Sequence, residues 1–148
     1  MRHWSIAVAF ALYALSLLAS GLFLLSGMLS GIWKYRGMIT APDHAAPMYV
    51  DITHRASLLY SFAALVLAKL LEYSPFSPAI QVVIVAVPLF YFAVTIFVYM
   101  IHGLKGTAET QFSRRNFVTT WGMYMLIAGE VAGVSLAVFG FIYTQILS

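Results

Sequence analysis

The sequence predicts an all-α integral membrane protein, a four-helix transmembrane bundle built as one domain over residues 1–148. Hydrophobic residues make up 62% of the chain and charged residues only 9%, whereas a soluble domain has roughly 25% charged residues. The mean hydropathy is +0.91. Four apolar segments are each long enough to cross a hydrocarbon core of about 30 Å. We predict helices over residues 4–33, 53–73, 79–102 and 117–147.

Composition excludes several kinds of site. The chain has no cysteine, which rules out disulfides, thiolate-bound iron–sulfur clusters, thiolate ligation of haem and thiol catalysis. The net charge of +3 does not indicate nucleic-acid binding, because the basic residues fall in predicted loops that can face lipid head groups. The apolar run after His3 is long and has no polar cleavage region, so we predict an uncleaved first helix.

The second predicted helix carries the most informative polar residues. Asp51 and Thr53 are typical N-cap residues, so the helix is expected to start between them, with His54 in its first turn. Tyr60 would then lie about 9 Å deeper in the membrane, at about 1.5 Å per residue. The first predicted helix contributes small residues typical of close helix packing. They are Ser16, Ser20, Gly27 and Gly31.

The third and fourth predicted helices also carry polar groups. Pro88 should leave the carbonyl oxygen of Ile84 without its usual donor and kink the third helix. A polar stripe follows one face of that helix, at spacings of 4, 4 and 3 residues. It consists of Tyr91, Thr95, Tyr99 and His102. In the fourth helix, Glu130 lies within a Gly129-xxx-Gly133 segment near mid-membrane.

Basic residues predict the orientation in a bacterial inner membrane. The loops 37–50 and 103–116 and their borders hold most of the positive charge, so both loops are expected in the cytoplasm and both termini outside. The basic residues are Lys34, Arg36, Arg55, Lys105, Arg114 and Arg115. In this orientation four polar side chains are expected in the cytoplasmic third of the membrane, those of His54, Tyr60, Tyr99 and His102. Lys69 and Glu130 would each lie about 20 Å from the cytoplasmic helix ends, which predicts a buried ion pair.

A histidine beside arginines at the membrane boundary suits haem b, because a neutral imidazole can ligate iron and arginines can meet the propionates. His54 is the predicted iron ligand, and His102 could supply the second ligand of a bis-histidine arrangement. The predicted propionate partners are Arg55, Arg114 and Arg115. A copper or zinc site formed by His44, His54 and His102 is an alternative, and an interfacial histidine can also serve only as a capping group.

These residues resemble the membrane-bound styrene oxide isomerase family, four-helix proteins that bind haem b. The resemblance covers the second and third helices, roughly a third of the chain. In that family a histidine near the start of helix 2 ligates iron, and an asparagine preceded by a leucine contacts the substrate. The segment His54-Arg55-Ala56-Ser57-Leu58-Leu59-Tyr60 keeps the histidine and the leucine but has Tyr60 in place of the asparagine. Tyr99, in Phe97-Val98-Tyr99, matches a functional tyrosine near the end of helix 3.

The resemblance implies a homo-oligomer, a trimer with haem b between subunits, that isomerises a small apolar epoxide. Ferric iron would act as a Lewis acid on the epoxide oxygen; opening gives a benzylic-type cation, and a 1,2-shift yields the aldehyde. Tyr60 and Tyr99 would be catalytic residues lining the distal pocket, and Tyr60 would make that pocket smaller than an asparagine does. Two other functions stay open: a non-enzymatic haem protein for electron transfer or sensing, and a cofactor-free membrane subunit with a buried Lys69–Glu130 pair.

Overall fold

The computed structural model describes residues 2–107, 109–110, 113 and 117–147, and these residues form an all-helical fold. The helices are α1 (Arg2–Thr40), α2 (Met48–Leu71), α3 (Pro78–Leu104) and α4 (Met123–Gln145), and a π-helical turn, Val118–Gly122, leads into α4. Within the described ranges, four helical segments are long and apolar enough to cross a membrane. The predicted all-α fold with four candidate membrane spans is confirmed.

The helix boundaries differ from the prediction, most clearly at the end of α1 and at the start of α2, and a π-helical turn stands where the first residues of the fourth helix were expected. α1 continues past Trp33 to Thr40, because no proline interrupts the chain before Pro42. α2 starts at Met48 after Pro47, so the predicted N-caps are wrong. Tyr49 and Val50, just before Asp51, are buried, with Tyr49 only 3% exposed. Their packing against the rest of the bundle favours a helix that starts before Asp51. Thr53 lies inside α2 and donates a hydrogen bond to the carbonyl oxygen of Tyr49 at 2.6 Å.

The four helices are arranged in chain order, with α2 and α3 in the centre. α1 packs mainly on α2 and α4 mainly on α3, and no contact joins α1 to α4 in the described part of the chain. Thr40, Met48 and Leu104 lie at one end of the bundle, called here the loop end. Leu71 and Gln145 lie at the other, the termini end, where the Thr144 hydroxyl donates to the carbonyl oxygen of Tyr73 at 2.9 Å.

Small residues allow α1 to approach α2 closely. A Cβ atom at Gly27 would lie 2.6 Å from Leu58 Cδ2, and one at Gly31 would lie 3.0 Å from His54 Cε1. The Ser20 hydroxyl donates to the carbonyl oxygen of Ser61 at 2.8 Å. The predicted packing role of the small residues is confirmed at these positions.

α3 runs through Pro88 as one helix from Pro78 to Leu104. Gly133 of α4 packs directly against the Pro88 ring, and a Cβ atom at Gly133 would also lie 3.1 Å from the carbonyl oxygen of Ile84. Ile84 is the residue whose carbonyl oxygen loses its helical donor to the proline. The glycine in α4 therefore makes room for the Pro88 ring and the neighbouring carbonyl oxygen of α3.

Candidate functional site

His54 lies about 9 Å along α2 from Met48, at about 1.5 Å per residue, and its side chain faces α1. Its Nδ1 atom is 2.8 Å from the carbonyl oxygen of Gly27. A carbonyl oxygen only accepts, so Nδ1 carries the proton and donates, which leaves the Nε2 lone pair free. The half-buried imidazole also lies against Gly31. Its position and tautomer are therefore set by α1.

Arg55 projects from the neighbouring position of α2 and pairs with Asp51. Its Nη2 atom is 2.8 Å from Asp51 Oδ2, and its side chain is 65% exposed. The other carboxylate oxygen of Asp51 binds Lys34 Nζ at 2.7 Å. Arg55 thus keeps part of its guanidinium free at the loop end. Arg114 and Arg115, the other predicted propionate partners, lie outside the described residues.

His102 lies on the α3 side of α2. Its Nδ1 atom is 2.8 Å from the carbonyl oxygen of Val98, and its ring centroid is 4.9 Å from that of Tyr49. Tyr49 and His54 point about 140° apart around α2, at about 100° per residue. A single copy of the chain therefore does not bring His54 and His102 to the same side of α2.

Tyr60 of α2 and Tyr99 of α3 lie near enough to interact electrostatically with each other and with Glu130 of α4. The Tyr60 ring stacks on Phe92 with centroids 4.3 Å apart. Its hydroxyl lies beside Thr95 and interacts electrostatically with Tyr99 and with the carboxyl group of Glu130. Tyr99 also interacts with Glu130. The two tyrosines of the predicted site thus lie in the same region of the bundle, packed against different aromatic neighbours, Phe92 for Tyr60 and Tyr49 for Tyr99.

The predicted Lys69–Glu130 ion pair is wrong. Lys69 Nζ binds Glu72 Oε2 of its own segment at 2.6 Å, and the Lys69 side chain is 63% exposed. Because α2 starts at Met48, Lys69 lies about 31 Å from that start, close to the termini end. Glu130 lies only about 20 Å from Phe117. The two residues are therefore at different depths. A cofactor-free membrane subunit, the other function considered for the chain, would also lack the buried Lys69–Glu130 pair.

Glu130 instead lines a cavity beside Phe92. The cavity has a volume of about 330 Å³. Its lining residues are Phe92, Glu130, Val131, Val134 and Ser135. The Glu130 Oε1 atom and the Thr95 Oγ1 atom are buried and have no hydrogen-bond partner among the described residues. The sequence signalled Glu130 as a polar group in an apolar helix.

No known protein family, curated protein or solved structure matches the chain. Within the ranges that the structure describes, no three histidine or acidic side chains come together to hold a metal ion. A single copy therefore does not bring His44, His54 and His102 together as a copper or zinc site. Ligation of haem iron by one histidine needs no such group.

Proposed function

We propose that the chain is a haem b-binding integral membrane protein with styrene oxide isomerase-like activity, and that His54 ligates the iron. The observation that supports this most is the 2.8 Å contact between His54 Nδ1 and the carbonyl oxygen of Gly27. Metal-ligating histidines usually donate their other ring N–H to a carbonyl or carboxylate, which fixes the ring and raises its basicity. His54 has this arrangement, with Nε2 available.

The surroundings of His54 fit a haem group. The flanking positions of α1 carry exposed apolar side chains that can cover a macrocycle, with Met28 62% and Ile32 55% exposed. Arg55 lies at the same end and keeps donors for a propionate. When bound, ferric haem would supply a Lewis acid for an epoxide oxygen. The phenols of Tyr60 and Tyr99 would each donate one hydrogen bond that orients that oxygen.

The directions of these side chains favour a homo-oligomer. His54 and Tyr60 point about 120° apart around α2, at about 100° per residue. One copy therefore presents them on different sides of the helix. We propose that His54 of one copy and Tyr60 and Tyr99 of the next face the same haem, in a trimer. The loop end would lie in the cytoplasm of a bacterial cell and the termini outside.

The test is an absorption spectrum of the protein purified from cells supplied with haem. We expect a Soret band, and we expect His54→Ala to lose haem. His44→Ala is the matched control, because His44 is exposed and its Nδ1 atom is 3.4 Å from the carbonyl oxygen of Met38. Tyr60→Phe should keep haem but form aldehyde from an aromatic epoxide roughly 10²-fold more slowly. A spectrum without a Soret band, or equal haem content in both histidine variants, would contradict the proposal.

One observation favours a non-enzymatic haem protein as the second candidate. His102 also donates from Nδ1 to a carbonyl oxygen, that of Val98, and keeps Nε2 free. In an oligomer, His102 of another copy could therefore supply a sixth iron ligand. A low-spin six-coordinate spectrum that is lost in His102→Ala would support electron transfer or sensing over isomerisation.

A further inference from the structure

A cavity of about 610 Å³ lies at the termini end, between the N-terminal part of α1 and the turn that joins α2 to α3. Its volume falls within the range of small-molecule pockets, about 300 to 1,000 Å³. Part of its wall is apolar and is formed by Phe76 and by Ile6 and Phe10, which are 69% and 72% exposed. Tyr13 and Glu72 contribute polar groups to the same wall. The cavity thus combines an apolar surface that lipid chains can reach with a carboxylate.

Hydrogen bonds from α3 and α4 fix the turn beside this cavity. Gln81 of α3 is only 9% exposed. Its Nε2 atom donates to the carbonyl oxygen of Phe76 at 3.0 Å and, over a longer distance of 3.4 Å, to that of Ser74. From α4, the Thr144 hydroxyl donates to the carbonyl oxygen of Tyr73 at 2.9 Å. The turn is therefore anchored on two sides, and the cavity is formed before a ligand enters, as binding pockets usually are.

The ion pair of Lys69 and Glu72 lies at the level of the lipid head groups. Glu72 is about 31 Å from Asp51 along α2, at about 1.5 Å per residue. Asp51 binds Lys34 and Arg55 at the loop end. The two groups of charges are thus separated by about the thickness of the hydrocarbon core, roughly 30 Å. Both side chains of the Lys69–Glu72 pair reach the surface there, since they are 63% and 36% exposed.

The charges at the cavity are of both signs. Glu72 lines it, and while Oε2 binds Lys69 Nζ at 2.6 Å, Oε1 forms no hydrogen bond with a residue that the structure describes. Lys69 also interacts electrostatically with Tyr13, another residue of the cavity wall. A ligand with only a negative charge would meet the Glu72 carboxylate, and one with only a positive charge would meet the Lys69 ammonium group. A ligand that carries both charges side by side is complementary to the pair.

We propose that this cavity binds one phospholipid with a zwitterionic head group that ends in a primary ammonium group, as in phosphatidylethanolamine. The lipid ammonium group donates to Glu72 Oε1, and the phosphate accepts from Lys69 Nζ and from the Tyr13 hydroxyl. One acyl chain lies along the apolar wall, whose burial adds to the affinity. The site is about 27 Å from His54 along α2, so it does not depend on haem binding.

The experiment titrates the full-length protein in detergent with three phospholipids of identical acyl chains and reads the bound lipid by native mass spectrometry. Phosphatidylethanolamine should bind about fivefold more tightly than phosphatidylcholine, whose trimethylated ammonium group has no N–H to donate, and than anionic phosphatidylglycerol. Glu72→Gln should remove the preference over phosphatidylcholine and make phosphatidylglycerol the tightest ligand, because Lys69 then lacks its carboxylate. Glu109→Gln makes the same change at an exposed glutamate of the loop end and should keep the original order.

A second pair of variants assigns the binding to this cavity. Ala9 lines it and Ala11, which is exposed, does not. Ala9→Phe should fill the space and weaken phosphatidylethanolamine binding about fivefold or more, whereas Ala11→Phe should leave it unchanged. Phosphoethanolamine, the head group without acyl chains, should not displace the lipid. Equal affinity for the three lipids, an unchanged order in Glu72→Gln, equal binding in the two alanine variants, or displacement by phosphoethanolamine would each overturn the proposal.

Discussion

Replacing Gly31 by alanine should move the His54 ring without removing any polar group. The added Cβ atom would lie 3.0 Å from His54 Cε1 and 3.2 Å from Nδ1, whereas carbon atoms in contact prefer about 3.5–4.0 Å. The ring must therefore shift by about 0.5–1 Å, away from its 2.8 Å contact with the carbonyl oxygen of Gly27. Overpacking of this kind costs about 1–3 kcal/mol. The weakened hydrogen bond contributes a part of its usual value of about 0.5–1.5 kcal/mol.

Gly21→Ala is the matched control, because a Cβ atom at Gly21 meets nothing within 4 Å. Both substitutions lie in α1 and share the gain in helix propensity of about 1 kcal/mol, so this gain cancels in the comparison. The free energy of unfolding, measured in mixed micelles, should be lower for Gly31→Ala than for Gly21→Ala by about 1–3 kcal/mol. Haem content should fall only in Gly31→Ala. Equal stability and equal haem content in the two variants would refute the placement of His54 against α1.

Three further predictions follow from the packing of the helices and from the distribution of charge. Lys69→Met and Glu130→Gln should have additive effects on the free energy of unfolding, since the two residues lie at different depths and share no partner; a double variant that recovers stability would show that they meet. Gly133→Ala should destabilise the protein by about 1–3 kcal/mol in the same assay because its methyl group collides with Pro88, and wild-type stability would contradict this packing. Cysteine at Thr107 should resist membrane-impermeant thiol reagents in intact cells, and ready labelling would invert the orientation.

The four membrane spans could be predicted from length and composition because a bilayer imposes one simple requirement, a long apolar helix. The start of α2 could not be predicted in this way. Asp51 and Thr53 have the side chains of N-caps, but Tyr49 and Val50 are buried, and their packing extends the helix back to Met48. Tertiary burial thus overrode the local signal.

The candidate site could be predicted only in part. The helical spacing of the stripe on α3 correctly brought Tyr99 and Thr95 to one face. The predicted Lys69–Glu130 pair is wrong because α2 starts at Met48, before Asp51, which places Lys69 close to the termini end, where it binds Glu72. The hydrogen bond from His54 to Gly27 joins two helices distant in sequence, and no local pattern specifies such a contact.

The most direct test of iron ligation by His54 is chemical rescue. His54→Gly removes the imidazole and leaves space for a free one, so the purified variant should lack the Soret band. Adding imidazole and haem should restore the band, with a spectrum close to that of the original protein, because the free imidazole takes the place of the His54 side chain. In His44→Gly imidazole should change nothing. Full haem content in His54→Gly without imidazole would contradict the assignment of His54 as the ligand.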